Sequence, residues 1–249
     1  MNAFAETVPP AALFVFIAAL GLILGSFVTA LSYRLPRGIS IAKGRSACPA
    51  CGTTLTARDL VPVLSWLISR GACRTCGTRI SWRYPAIELT MAVLFVTAAL
   101  AVEDPARLAL ILAATPVMVA LAVIDIEVRR LPNVLVALLA AAALVFRFLT
   151  DRDFVFAFAA AVAIFGFALL LDRIGRRLLH QGLGMGDAKL MSVVALALPL
   201  IPLLLVLGAA GTIGALTGVA WHRRLTGSAT QIPFAPAILS AFWAALVAL

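Results

Sequence analysis

The sequence is poor in charged side chains, and this scarcity determines the class of protein. Only 12% of its 249 residues are Asp, Glu, Lys or Arg, whereas 63% are hydrophobic. A soluble domain has about 25% charged and about 45–50% apolar residues. The composition therefore excludes an ordinary soluble enzyme. It predicts an all-α polytopic membrane protein.

Basic residues are missing from the N-terminus and are concentrated elsewhere. Residues Met1–Pro10 contain Glu6 and no Lys or Arg, so no cleavable signal peptide is expected. The net charge of +9 would suit nucleic-acid binding, but nine of the twenty basic residues lie between Arg34 and Arg83. Most others flank apolar runs, which is the positive-inside pattern. We therefore expect membrane lipid as a partner and no nucleic acid.

Motifs of several other enzyme classes are also missing. The two histidines, His180 and His222, have neither a metal-ligand spacing nor the serine and acid of a hydrolase triad. No P-loop occurs. The glycine-rich run 182–186 follows an apolar segment and not a strand, which disfavours a dinucleotide site.

Eight apolar runs can be drawn as transmembrane spans. About 20 apolar residues cross a bilayer, so the sixth run, which ends near two prolines, is short. The predicted spans are about Ala11–Tyr33, Pro85–Val102, Leu108–Ile124, Val134–Leu149, Phe154–Leu171, Ala188–Leu200, Leu203–Trp221 and Ala235–Leu249.

The loops between these spans predict domains and orientation. We expect a first transmembrane helix at 1–33, a cytoplasmic cysteine-bearing domain at 34–84 and a transmembrane core at 85–249. Basic loops alternate with the acidic or balanced connections 103–107 and 151–153. The basic loops should be cytoplasmic, which places both termini outside.

Two acids stand at the edges of apolar runs, where a charge is costly and a functional role is the default hypothesis. Asp125 ends the third span, and Asp187 begins the sixth after the glycines Gly184 and Gly186. Two spans separate the acids, so both fall on the cytoplasmic side and we expect them to pair. Paired carboxyls share a proton, as in aspartic proteases. Lys189 can set the local field.

Simpler roles for these acids remain open. Asp125 and Asp187 can cap helices or pair with Arg129, Arg130 and Lys189. The rival acid Glu127 is an ordinary partner for the same arginines. Glu88 lies inside the start of the second span and is either a functional buried acid or an interfacial partner of Arg83.

All four cysteines occur as two C-x2-C pairs in the large basic loop. The pairs are Cys48 with Cys51 and Cys73 with Cys76, and Gly52 and Gly77 follow them. This spacing predicts a structural Zn²⁺ bound by four thiolates. Two disulfides are the alternative, which a reducing cytosol disfavours. A redox C-x-x-C usually occurs once and in an α/β context.

Taken together, the motifs resemble those of the bacterial type IV prepilin peptidases, also called leader peptidase/N-methyltransferases. The likeness covers nearly the whole chain. Besides the cysteines, Asp125 and Glu88, it includes Gly25-Ser26-Phe27, Tyr33-Arg34-Leu35-Pro36, Arg83-Tyr84-Pro85, Leu131-Pro132-Asn133, Gly184–Lys189 and Pro233-Phe234-Ala235-Pro236. Thr29 and Ala235 stand where the family usually has Asn and Gly.

The resemblance implies an activity and its partners. Asp125 and Asp187 would be the catalytic pair, and the cysteines would bind the metal. The substrates would be prepilins or pseudopilins of type IV pilus or type II secretion systems, cleaved after a glycine at the cytoplasmic face of the inner membrane. The new N-terminal residue would be methylated from S-adenosylmethionine. Candidate residues for this step, chosen from the cysteine loop and its exit, are Gly71, Arg83 and Glu88.

Other functions stay open from the sequence. They are a prepilin or preflagellin peptidase without methyltransferase activity, a non-enzymatic zinc-bearing membrane scaffold, and a proton-coupled transporter that uses the two acids. Transporters often contain inverted repeats, and no convincing internal repeat occurs here. The sequence does not indicate an oligomeric state.

Overall fold

The computed structural model describes residues 10–178, 184–224 and 233–249. Within these residues the regular elements are helices, with two isolated β-bridges and no strand. The all-α class is therefore confirmed. The helices are α1 (Pro10–Arg34), α2 (Leu64–Ile68), α3 (Arg83–Ala101), α4 (Pro105–Val128), α5 (Asn133–Thr150), α6 (Phe154–Leu178), α7 (Met185–Ala197), α8 (Leu200–Arg224) and α9 (Ala235–Ala248).

Six of the described helices, α1, α3, α4, α5, α6 and α8, are long and apolar enough to cross a membrane. The protein is therefore a multi-pass membrane protein, but the predicted count of eight spans is not confirmed. The predicted sixth and eighth spans fall on α7 and α9, which have 13 and 14 residues. At 1.5 Å per residue such helices are only about 20 Å long, whereas the hydrocarbon core is about 30 Å thick.

Helix α7 is short because a proline follows it closely. The residue before a proline is pushed out of the helical conformation. Leu198, which precedes Pro199, is extended with φ −101° and ψ 140°, and the helix ends at Ala197. Helix α8 then begins at Leu200.

The chain divides into two compact units, Met1–Glu103 and Asp104–Leu249. In the first unit α1 packs along α3. Gly21 and Gly25 make this contact close, because a Cβ on either one would lie 2.8 Å from the Cα of Ala92 or 2.7 Å from the Cα of Glu88. Small residues four apart allow this approach of two helices in a membrane. The predicted domain boundaries at 33 and 84 stay a prediction.

In the second unit α4 packs against α5 and α9, and α7 contacts α5, α6 and α9. The side chains of Leu121, Ile124, Leu190 and Ile238 are fully buried and form the centre of this unit. A polar contact also joins α9 to α4, where the indole nitrogen of Trp243 donates to the hydroxyl of Thr115 at 3.0 Å. The start of α9 lies at the end of α4, where Ala235 bonds to Asp125, and the start of α7 lies at the start of α5, where Lys189 bonds to Asn133.

Candidate active site and metal centre

Asp125 lies in the last turn of α4 with only 6% of its surface exposed. Its Oδ2 accepts a hydrogen bond of 3.0 Å from the backbone N–H of Ala235, the first residue of α9. The positive charge of Arg129 also acts on this carboxyl group. Arg129 itself is in the left-handed region, with φ 54°, and its N–H bonds to the carbonyl of Asp125, which ends the helix.

Asp187 lies in the first turn of α7, which Gly184 caps in an extended conformation. A Cβ on Gly184 would lie 3.0 Å from Oδ2 of Asp187. A side chain at position 184 would therefore crowd the carboxyl group, and glycine leaves this space open.

The two acids influence each other electrostatically. Burial raises the pKa of Asp187 to about 7, and the negative charge of Asp125 contributes to the same rise. Charges act strongly on a neighbour's pKa only over a few ångströms. The structure therefore brings Asp125 and Asp187 into one site, although they are 62 positions apart in the sequence.

Two further contacts join the segment that follows Asp125 to the start of α7. A Cβ on Gly186 would lie 3.1 Å from the side chain of Leu131, so the glycine lets the turn after α4 pack closely on the start of α7. The ammonium group of Lys189 donates to Oδ1 of Asn133 at 2.9 Å. The predicted supporting residues Gly184, Gly186 and Lys189 thus all lie at this site.

Glu127 differs from Asp125 in its environment. It lies two residues later on α4 and is exposed, whereas Asp125 is buried. Successive positions two apart point to different faces of a helix. Glu127 is therefore a suitable control for substitutions of the buried acid.

The four cysteines form one cluster built from two repeated knuckles. The N–H of Cys48 bonds to the carbonyl of Thr53, and the N–H of Gly52 bonds to the carbonyl of Cys48, both at 2.9 Å. Cys73, Gly77 and Thr78 repeat both bonds at the same distances. Gly52 and Gly77 each have φ 71°, a conformation that favours glycine.

The cysteine sulfurs fit a tetrahedral metal. The four Sγ atoms lie within 4.8 Å of one another, and those of Cys48 and Cys76 are 3.8 Å apart. Zinc–sulfur bonds of about 2.3 Å in a tetrahedron place the sulfurs about 3.8 Å apart. The cysteines are free thiols. The cluster could therefore bind a metal ion.

Sequence reasoning missed a pair of hydroxyl groups beside this cluster. The Oγ1 atoms of Thr53 and Thr78 each lie 3.3 Å from the Sγ of the second cysteine of their knuckle. The hydroxyl of Thr78 is the main reason why the pKa of Cys76 is lowered to about 6. Thr53 likewise lowers the pKa of Cys51. The repeated Cys-Gly-Thr triplet is the sequence signal that could have identified both threonines.

The three candidate methyltransferase residues lie in the first unit, near the cysteine loop. Glu88 is 6% exposed, and its Oε2 accepts from the N–H of Val63 at 2.7 Å. The guanidinium of Arg83 donates to the hydroxyl of Ser32 on α1 at 2.7 Å. Gly71 has φ 65°, and a Cβ there would lie 2.8 Å from the ring of Trp66. The histidines contribute nothing here, because His180 and the side chain of His222 lie outside the described residues.

Two family models match the chain, one in each structural unit. Residues 19–102 match the bacterial peptidase A24 N-terminal domain, and residues 110–219 match the type IV leader peptidase family. The boundary between the matches coincides with the boundary between the units at Glu103 and Asp104.

Similar proteins span most of the chain. A prepilin leader peptidase/N-methyltransferase of Bacillus subtilis is 36% identical over 91% of this chain and 89% of its own length. A protein of the same name from Dickeya chrysanthemi is 34% identical over 77% of this chain and 76% of its own. A type 4 prepilin-like proteins leader peptide-processing enzyme of Escherichia coli is 29% identical over 92% and 91%. No solved structure matches the chain.

Proposed function

The chain belongs to the type IV leader peptidase family, and we propose that it is a membrane aspartic endopeptidase and N-methyltransferase. It removes the basic leader from type IV prepilins or pseudopilins after a glycine and methylates the new N-terminal residue. One observation carries this proposal: partial burial and the charge of Asp125 together raise the pKa of Asp187, so two acids at the ends of different helices act on each other in one site.

The surroundings of the two acids suggest different roles. Burial of Asp125 disfavours a charge on it, but the hydrogen bond from the N–H of Ala235 at the N-terminus of α9 and the positive charge of Arg129 both favour its carboxylate form. Asp187 retains a proton near neutral pH because its pKa is about 7. We therefore assign the general base to Asp125 and the general acid to Asp187.

Peptide cleavage then proceeds without a covalent intermediate. Asp125 takes a proton from a water molecule, whose oxygen attacks the scissile carbonyl carbon. Asp187 donates its proton to the carbonyl oxygen, so that the charge of the tetrahedral intermediate is neutralised. The intermediate collapses: one hydroxyl group returns its proton to Asp187 as the carbonyl forms again, the C–N bond breaks, and the leaving amine takes the proton that Asp125 holds.

The leaving amine is the substrate of the second reaction. Its nitrogen would take the methyl group of S-adenosylmethionine, whose positively charged sulfur would leave as a neutral thioether, and the nitrogen would then lose a proton. We propose Gly71, Arg83 and Glu88 for this step, because the buried carboxylate of Glu88 suits a cationic donor. The nitrogen is part of a peptide bond until the leader is removed, so cleavage must come first.

The metal and the location complete the proposal. We propose that Cys48, Cys51, Cys73 and Cys76 hold one structural Zn²⁺, supported by their spacing and sulfur distances. Metal binding would stabilise a loop too small for an apolar core. We propose that the cysteines and the acids lie on the cytoplasmic side of the inner membrane, and the basic loops support this orientation.

Co-expression with a prepilin and mass spectrometry of the pilin test the function. Asp125→Asn and Asp187→Asn should each slow cleavage about 10²–10⁴-fold, the range for loss of a general acid or base. The variants should accumulate normally. Glu127→Gln is the matched control and should process the prepilin. Near wild-type cleavage by either Asn variant would show that the dyad is wrongly assigned.

A further inference from the structure

The start of α9 touches the proposed general base directly. The N–H of Ala235 donates to Oδ2 of Asp125, and the same carboxyl group also interacts with the backbone amide of Phe234. Ala235 is 110 positions away from Asp125 in the sequence, and it lies beyond residue 219, where the family-model match ends. The direction of the carboxyl group therefore depends on whatever holds residues 234 and 235 in place.

Two prolines restrict this short segment. Pro233 and Pro236 each have a fixed φ, so the chain has little conformational freedom on either side of Phe234 and Ala235. Pro236 is tolerated because it lies in the first turn of α9, where backbone N–H groups have no helical partner. The backbone around Ala235 is stiff, so moving Phe234 would also move the two amides that face Asp125.

The side chain of Phe234 is held against a glycine of α8. A Cβ on Gly214 would overlap the Cδ2 and Cε2 atoms of the Phe234 ring. Gly208 and Gly211, on the same helix, would meet nothing within 4 Å. Gly214 is also buried, whereas Gly211 is exposed. Position 214 is thus a notch that accommodates one aromatic ring.

We propose that Phe234, seated in the notch at Gly214, is a positioning residue for the peptidase reaction. It acts through the backbone: the ring fixes the start of α9, and the N–H of Ala235 in turn fixes the direction of the Asp125 carboxyl group. This inference rests on the proposed function, because it concerns the same dyad. Phe234 itself takes no part in the chemistry.

Steady-state cleavage of a prepilin by purified full-length variants tests the notch. Gly214→Ala should lower kcat at least about tenfold, because displacement of a catalytic group by as little as 1 Å can cost about a hundredfold. KM should change less than about twofold, since substrate contacts stay in place. Gly211→Ala is the matched control and should keep wild-type kcat. Alanine is the better helix former in both positions, so the helix itself does not suffer.

Rescue separates positioning from general damage. Phe234→Leu shortens the side chain, and in the Gly214→Ala background it should restore kcat at least about fivefold, because contacting residues are not additive. Phe234→Leu alone should lower kcat by a few fold with KM unchanged. Phe234→Leu adds no atoms to the helix contact. It therefore tests the positioning role of Phe234 by itself if Gly214→Ala does not accumulate.

Asp125→Asn is measured in parallel to keep the two proposals apart. If Asp125→Asn is inactive while Gly214→Ala and Phe234→Leu keep wild-type kcat, the positioning inference is overturned and the proposed function stands. If kcat of the double variant falls by the product of the two factors measured for the single variants, the inference is also overturned. If Asp125→Asn cleaves normally, the dyad itself is wrong.

Discussion

The two sites of this protein are assembled in opposite ways. Each cysteine knuckle is built within six residues, from Cys48 to Thr53 and from Cys73 to Thr78, and the two share the same backbone hydrogen bonds. The acid site instead joins the end of α4, the start of α7 and the start of α9, with a hydrogen bond across 110 positions of sequence.

This difference indicates how each site responds to change. Each knuckle depends on its own backbone turn and on the bound metal ion. The metal site is therefore most sensitive to substitution of the cysteine ligands. The acid site needs three helix ends at the right distances, so substitutions that shift helix packing affect it without touching an acid. The predictions below test this contrast, from the largest expected effect to the smallest.

Loss of the metal should be the most complete effect. The purified protein should contain about one zinc ion per chain, and Cys48→Ser combined with Cys51→Ser should remove it. Elemental analysis measures this. Limited proteolysis of residues 34–83 should become faster, because the two cysteine pairs are no longer joined through a metal ion. Protein prepared without chelators that contains no zinc would contradict the metal assignment.

A matched pair of substitutions sharpens this test. Thr53→Val and Thr78→Val together remove the hydroxyls beside Cys51 and Cys76 but leave all four ligands. Such second-layer contacts change metal affinity by about 10–100-fold. The zinc ion should remain at full occupancy and be lost to a competing chelator at lower chelator concentration than in the wild type.

Substitutions at the candidate methyltransferase residues of the first unit should lower methyl transfer and leave cleavage unchanged. Gly71→Ala places a Cβ 2.8 Å from the Trp66 ring, and Glu88→Gln removes a buried charge. Each should yield cleaved pilin with methylation reduced at least about tenfold, the lower end of the loss when a catalytic group is misplaced. Mass spectrometry of the pilin reads both reactions together.

Gly38→Ala is the control for the glycine substitution. Gly38 has a similar φ of 66°, but a Cβ there would meet nothing within 4 Å. Pilin methylation by the Gly38→Ala variant should stay near the wild-type level if the contact with Trp66, and not backbone strain, is what matters at Gly71. Methylated but uncleaved pilin from any variant would contradict the order of the two reactions.

Cleavage should decline at alkaline pH. The active dyad holds one proton, and the pKa of Asp187 is about 7 because of burial and the charge of Asp125. Below this pH Asp187 keeps its proton. Above it the proton is lost, and kcat/KM should fall up to about tenfold per pH unit. The only nearby cation on α7 is Lys189, which is bound to Asn133. A flat profile from pH 6 to 9 would contradict the assigned acid.

Changing the contact between Gly186 and Leu131 should have the smallest effect on cleavage. Gly186→Ala places a Cβ 3.1 Å from Leu131, so one of the two segments must shift by a few tenths of an ångström. Cleavage should fall by about three- to tenfold, less than for a larger misplacement. Leu131→Ala should restore much of the rate in the double variant. Gly166→Ala, with no neighbour within 4 Å, should behave as the wild type.

Some features were predictable because they depend on consecutive residues. The membrane class follows from the apolar content, and the metal-binding cluster follows from two C-x2-C pairs, whose knuckles form locally. The two acids were recognisable because a carboxyl group beside an apolar run is unusual, and an even number of predicted spans between them returns the chain to the same face.

Tertiary structure alone decided the rest. The end of α7 is not part of this remainder, because a local signal, the proline after Leu198, stops the helix at Ala197 and leaves it 13 residues. The hydrogen bond from Ala235 to Asp125 and the notch that Gly214 offers to Phe234 were not visible in the sequence. Hydropathy and motif spacing describe neighbours along the chain. A contact across 20 or 110 positions depends on how the helices pack, which no local pattern specifies.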